Sequence, residues 1–488
     1  METRRRIAAA KAALCLACLA SGALVLLWSL DFGALARFAS DPPEMKSSSP
    51  TVHQLAVRKE ATSSSELVGG ASSPSAESAV GVRLSPRRNA TAIRKTEKAR
   101  EARKLELGLA QARAAIRKAT KLGDCPSNCS GHGTSKSVYR NRRAFLQSYM
   151  EMERRFKVYV YSEGEPPIVH DGPCKDIYTI EGRFIQDMEH GSAAARFGTR
   201  NPRRAHAYFM PFSVTRMVTY LYKPPTYDVT PLRQFVADYV RAVSAKYPFW
   251  NRTRGADHFM VACHDWGPHA SHGDPHLYKN SIRALCNANA SEGFNPQKDV
   301  SLPEIHLVDG NISPKLLSPP PPHIPRPLLA FFAGGLHGPI RPLLLRHWKD
   351  KGDPDIRVYG YLPKHLDYYT LMLQSRFCLC PSGYEVASPR IVESVYAECV
   401  PVIISEHYVL PFSDVLNWDA FSIKVEVSAI PRLKEILQAI PEDEYRRLRQ
   451  GLRAVRRHFV LNQPAKRFDV FHMVLHSIWL RRLNLDLG

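Results

Sequence analysis

The 488-residue chain exceeds one ordinary domain, and 44% hydrophobic residues support substantial cores. A formal net charge of +21 asks for an acidic partner or an anionic surface. Nearly half of that excess sits between Arg83 and Lys121, where thirteen Lys/Arg face three Glu, in a segment expected below to be luminal, where nucleic acid is not a serious partner.

Arg4, Arg5, Arg6 and Lys11 precede an uncharged run from Ala12 to Leu30. Its 19 residues approach the roughly 20 that span a bilayer and exceed the about 7–15 of a cleaved signal peptide's apolar region. The expectation is a retained signal-anchor with residues 1–11 cytoplasmic, 12–30 in the membrane and everything after Leu30 in a lumen. Sequons at Asn89, Asn128, Asn251, Asn289 and Asn311 are usable only there. Eight cysteines beyond the anchor permit disulfides whose pairing cannot be read from sequence. Cys125 and Cys129 have metal-compatible spacing but no second pair, which favours a bridge, and Cys378 and Cys380 read as small buried hydrophobes on one strand face.

Residues 31–138 read as a luminal stem. A Ser/Ala/Pro-rich part cannot bury enough surface to order itself, and a basic amphipathic helix follows with Ala102, Leu105, Leu109, Ala112, Ile116 and Ala119 at three- and four-residue steps. From Tyr139, FKVYVY, AHAYFMPF and HFMVAC, then LLAFFAG, IRVYGYL, FCLCP and VPVII, are short buried strands alternating with helical or loop segments. That alternation predicts an α/β fold with parallel sheets. The proline run Ser318–Pro327 cannot enter a helix interior or a central strand, so it marks the boundary between a first domain, 139–318, and a second, 326–488. A basic helix from about Pro464 to Leu485 folds back across the pair.

Phe377–Ser405 is the most informative segment: a buried strand, a Gly-containing loop, a helix opening with Pro389 and a second buried strand. Ligands of open α/β sheets dock at strand carboxyl ends, where helix N-termini suit phosphate. Arg390 and Glu393 share one helix face, so the guanidinium can fork onto a diphosphate while the carboxylate accepts from ribose hydroxyls. An internal Arg390–Glu393 ion pair is the plainer alternative.

Four ordered segments, GADHFMVACHDWGP, RALCNANASEGFNPQKDVSLPE, LAFFAGGLHGPIRP and PSGYEVASPRIVESVYAECVPVIIS, resemble the exostosin-type glycosyltransferases of family 47, particularly the plant members. The resemblance covers about Phe145 to Trp479. It implies a type II Golgi membrane protein of GT-B fold, two facing Rossmann-like domains with a cleft between them, that transfers from a UDP-sugar with inversion. No permanently bound cofactor and no metal would be required. The acceptor would be a cell-wall polysaccharide, a hemicellulose or an acidic pectin. On that basis Arg390, Glu393, Ser382, Gly383 and Ser388 bind the donor, Gly334, Gly335 and Arg341 form a second phosphate-side element, and Glu385 reaches the sugar. The base that takes the acceptor proton is sought among Asp257, His258, His264 and Asp265, with Asp265 first and His264 second because they end the HFMVAC strand.

Alternatives stay open. His264, His269, His272 and His276 could ligate zinc in principle, but their irregular spacing suggests an exposed loop, and Asp353-Pro-Asp355 reads as a turn. Glu398 and Cys399 stand where many two-Rossmann transferases carry glycine. A non-catalytic partner subunit of a Golgi synthase complex, in a homo- or hetero-oligomer, would keep the same fold without turnover. A glycosidase is disfavoured because no carboxylate pair can be set across a cleft.

Overall fold

The computed structural model describes residues 86–122, 137–321 and 323–485, all within one compact unit. The expected anchor, the Ser/Ala/Pro-rich stem, Cys125, Cys129 and Asn128 lie outside the described residues. No helix among those described is long and apolar enough to cross a membrane.

Two five-stranded, wholly parallel sheets form the body. The first runs β1 (Val158–Val160), β2 (Ala207–Phe209), β3 (His258–Ala262), β4 (Ile282–Leu285), β5 (Val300–Ser301), in chain order. The second uses β6 (Leu328–Ala333), β7 (Ile356–Tyr359), β8 (Ser375–Pro381), β9 (Val400–Ile404) and β10 (Ile423–Lys424) in the order β10-β9-β8-β6-β7. Helices cover the faces, as parallel strands with buried crossovers require. The central strands are accordingly unbroken apolar runs, every residue of β3 and β9 being buried.

In the second sheet the chain leaves β6 toward β7 on one side and leaves β8 toward β9 on the other. β6 and β8 are neighbours, with Ala330 opposite Phe377 and Phe331 opposite Cys378. This reversal opens a crevice beyond their carboxyl ends, where open α/β sheets bind ligands.

Two disulfides staple strand ends: Cys263–Cys286 joins the ends of β3 and β4, and Cys378–Cys399 ties β8 to the entry of β9. Cys378 is therefore a cross-link, correcting its reading as a plain buried hydrophobe, whereas Cys380 is a buried free thiol. Glu398, at the corner where many two-Rossmann transferases carry glycine, takes a left-handed conformation (φ 51°). Its buried carboxylate is held by Arg449 at 3.1 Å and Arg453 at 2.8 Å.

The basic helix is not a free stem. Pro86–Lys121 forms a continuous helix whose Leu109 and Ala112 are fully buried, Arg113 donates to Leu483 O and Leu485 O, and Arg482 pairs with Glu106 at 2.5 Å. The stripe read as amphipathic thus packs on the body. The last helix, Val470–Asn484, packs against the helix Arg142–Arg155 and under β4 and β5 of the first sheet. Arg481 donates to Asp299 O at 3.0 Å and Arg482 to His206 O at 2.7 Å.

Candidate active site

Each strand flanking the crevice feeds a helix with an arginine in its first turn. β6 leads to the helix Ile340–Trp348 with Arg341, and β8 leads to the helix Pro389–Ala397 with Arg390. Pro389 suits a first helical position because it lacks the N–H that would be unpaired there. Arg390 Nη2 donates to Ala333 O at 2.7 Å and Nη1 to Ser388 Oγ at 3.1 Å, with the guanidinium 4.7 Å from the Phe332 ring centre. Arg341 Nε lies 3.5 Å from Pro381 O, and burial beside Arg390 pushes its pKa down to about 10, so it stays a cation at neutral pH.

The glycines serve these arginines. A Cβ on Gly334 would lie 2.9 Å from Arg390 Nη2, and one on Gly383 would lie 3.0 Å from Arg341 Nη2. A Cβ on Gly338 (φ +67°) would strike the Gly383 carbonyl. The space expected around Gly334 for phosphate is thus occupied by a guanidinium. Gly335 is buried at the same turn, against His337 and Tyr361.

The structure changes the reading of two serines. Ser382 Oγ contacts Ser405 Oγ at 2.6 Å and Val386 O at 3.2 Å, and Ser388 Oγ accepts from Arg390, so both hydroxyls hold the loop. The Gly383 N–H donates to Glu385 O. Glu393 makes no ion pair with Arg390. It accepts from Tyr368 Oη at 3.0 Å and Tyr369 Oη at 3.4 Å, with His306 Nδ1 at 3.7 Å, and is only 8% exposed.

Of the four base candidates, Asp257 and His258 stand at the start of β3, far from the strand's carboxyl end. They are buried in a network with Arg252, Thr253 and Tyr161. His264 and Asp265 stand at the other end. His264 Nδ1 accepts from the Trp266 N–H at 3.1 Å, which leaves the neutral ring's proton on Nε2, and burial pushes its pKa down to about 4. Asp265 Oδ1 accepts from Tyr178 Oη at 3.1 Å. Burial first, then Glu292, raises the Asp265 pKa.

Sequence reasoning missed Glu304. It follows β5, is 8% exposed, and has no hydrogen-bond donor from the protein. Burial first, then Asp265 and Glu393, push its pKa up to about 8 against the opposing pull of Arg341 and Arg390. A carboxylate that follows the first sheet thus lies within electrostatic reach of the two arginines of the second. It was quoted at the end of SLPE, but nothing in its spacing set it opposite Arg390. Glu385 is a second such acid, raised to about 9 by burial and by Asp265, Glu292 and Glu304, and its buried Oε2 lacks a partner.

A cavity of about 240 Å³ adjoins the loop, lined by Ile340, Leu343, Ser382, Glu385, Ser405 and Val427. Asn289 lines it too, its Nδ2 bonded to Glu292 Oε1 at 2.9 Å, whereas the sequon residues Asn251 and Asn311 are exposed. Asn89 falls within the first turns of the Pro86 helix. Among the described residues no cluster of three or more His, Cys, Asp or Glu could hold a metal ion. Asp353 and Asp355 both pair with Lys434.

Residues 152–440, more than half the chain, match the Exostosin GT47 domain. The chain belongs to the exostosin GT47 family. Exostosin-family relatives include a probable glycosyltransferase of Arabidopsis thaliana, 57% identical over 82% of each chain. A probable glucuronosyltransferase of Oryza sativa subsp. japonica is 32% identical over 66% of this chain and 77% of its own. A probable beta-1,4-xylosyltransferase of Arabidopsis thaliana is 30% identical over 68% and 83%. The crystal structure of TarM aligns over 41% of this chain and 51% of its own at 11% identity with a TM-score of 0.22, a likeness too low to carry a conclusion. Every crevice residue described above lies within the exostosin match.

Proposed function

We propose that this chain is an inverting glycosyltransferase that moves a sugar from a UDP-sugar to a cell-wall polysaccharide, hemicellulose or pectin. The Ala12–Leu30 run supports a Golgi membrane anchor with the body in the lumen. The two parallel sheets and the crevice beyond β6 and β8 support the GT-B reading. The observation that carries the proposal is the pair of first-turn arginines, Arg341 and Arg390, at the point where the second sheet reverses direction.

In the proposed reaction the acceptor hydroxyl attacks the anomeric carbon from the face opposite the diphosphate. The bond from that carbon to the phosphate oxygen breaks and UDP leaves with the electron pair. Arg341, Arg390 and the two helix N-termini take up the developing charge, the part a metal ion plays in other transferases. The acceptor's proton goes to Glu304, a role that sequence alone gave to Asp265. Glu304 suits it better because no protein donor occupies its carboxylate and its raised pKa makes it a stronger base. Asp265, held by Tyr178, keeps that pKa high. Glu393, three residues after Arg390 on the Pro389 helix, remains the carboxylate proposed for ribose.

Calorimetry of the purified full-length chain against UDP and a panel of UDP-sugars tests the reading. Micromolar UDP binding that Arg390→Ala removes, with unchanged thermal unfolding, is the expected result. No UDP affinity in a folded preparation would sink it.

A further inference from the structure

A row of aromatic rings runs outward from the crevice along the first sheet's side. Tyr178 and His264 have ring centres 4.8 Å apart, His264 and Trp266 5.6 Å, and Trp266 and Tyr222 4.7 Å at 83°. All four are partly exposed. The row is tied to the candidate chemistry because Tyr178 Oη donates to Asp265.

Alongside the row lie four acids: Asp265, Glu292, Glu304 and Glu385. Burial and their own proximity raise Asp265, Glu304 and Glu385 together. Asn287, 2% exposed, donates to the Asp265 main-chain carbonyl at 3.3 Å and to the Glu292 carboxylate, at Oε2, at 3.0 Å. Its own Oδ1 is buried without a donor, and so is Glu385 Oε2. Two unpartnered polar atoms in a buried polar wall call for ligand hydroxyls, which both donate and accept, since such atoms are otherwise paired.

We propose that the Tyr178–His264–Trp266–Tyr222 row is the acceptor subsite and that it takes a neutral pyranose chain in preference to a polyuronate. The C–H face of a pyranose lies on aromatic rings, the positive hydrogens against the negative ring faces. Its hydroxyls can satisfy Asn287 Oδ1 and Glu385. A polyuronate would bring a carboxylate per residue into a wall whose burial already holds Glu304 and Glu385 mostly protonated at neutral pH, so each added charge is disfavoured in the same way. The +21 balance of the chain argued for an acidic acceptor, but the surroundings of the row disfavour carboxylates, raising Asp265, Glu304 and Glu385 alike. The inference rests on the transferase reading and narrows its acceptor from pectin or hemicellulose to the neutral class.

The test uses the full-length chain saturated with UDP, titrated with xylohexaose, cellohexaose and galactohexaose, and separately with hexagalacturonic acid, while Trp fluorescence and calorimetry are recorded. At least one neutral hexamer should bind about tenfold or more tightly than the uronate. Trp266→Ala should weaken the neutral hexamer about tenfold with the UDP affinity unchanged, and Trp266→Phe should restore most of the loss. Equal or tighter uronate binding, equal hexamer binding by Trp266→Ala, or no neutral hexamer bound by a chain that binds UDP each overturns the inference. A chain that fails to bind UDP counts against the donor reading instead, and the hexamer titrations still decide the row.

Discussion

Arg390 is held on one edge by Ala333 O and Ser388 Oγ and lies against Phe332. That posture presents a fixed fork, so Arg390→Lys should fail almost as badly as Arg390→Ala, each lowering kcat/KM by about 10²–10³ for loss of one transition-state charge contact. Steady-state kinetics with a UDP-sugar checks this, and a Lys variant of near wild-type rate refutes the fork. Glu304 makes the pH dependence explicit. A base must be unprotonated, and its pKa is raised to about 8, so kcat/KM should climb as pH rises toward 8 and flatten above it. Glu304→Gln should abolish turnover. Asp265→Asn, by removing a negative neighbour, should move the climbing limb to lower pH, and an unmoved limb would assign the proton to another group. Arg390 was legible from its place after a proline in a βαβ unit. Glu304 was not, because it becomes a partner of Arg390 only when two sheets far apart in sequence are folded together.

At the scale of elements, strands β3, β6, β8 and β9 were readable as continuous apolar runs bounded by turn residues, the signature of a parallel strand buried on both faces. β4, β5 and β10 escaped notice for two reasons. β5 and β10 have only two residues each, and β4 carries Arg283, whose charge argues against a buried strand until its pairing with Asp299 at 2.5 Å is known. The helix–strand corner at Glu398 shows the same limit in reverse. Glu398 stands where many two-Rossmann transferases carry glycine, and it holds the positive φ because Arg449 and Arg453 clamp its carboxylate. Glu398→Ala should keep the backbone strain and leave the partly buried Arg449 and the exposed Arg453 without their carboxylate, costing about 1–3 kcal/mol. Glu398→Gly relieves the strain and should cost less, by about 1 kcal/mol. Urea unfolding of both variants decides it, and a glycine variant less stable than the alanine one would show that backbone conformation is not the issue.

Over the whole molecule, both ends of the described chain close on the first sheet. The last helix, Val470–Asn484, is buried along nearly its whole length although it reads as basic, because its polar side chains find partners: His472 with Asp469, His476 with Ser148, Arg481 with Asp414 and Arg482 with Glu106. The Pro86–Lys121 helix is harder to read, because a one-sided apolar stripe beside a basic face fits a solvated stem as well as a docked element. Its docking contacts, Leu109 and Ala112 in the core and Arg113 on the carbonyls of Leu483 and Leu485, come from a segment some 370 residues away. The two terminal helices should therefore stabilise each other. Leu109→Ala, which opens a cavity where the helix meets the body, should cost about 2–5 kcal/mol, and Arg482→Ala should lose part of the same stability by freeing Glu106 and His206 O. Because both act through one interface, the double variant should lose less than the two single losses added together. Chemical denaturation of the four proteins measures that coupling. Strict additivity, or no loss from Leu109→Ala, would return the basic helix to the role of an independent stem.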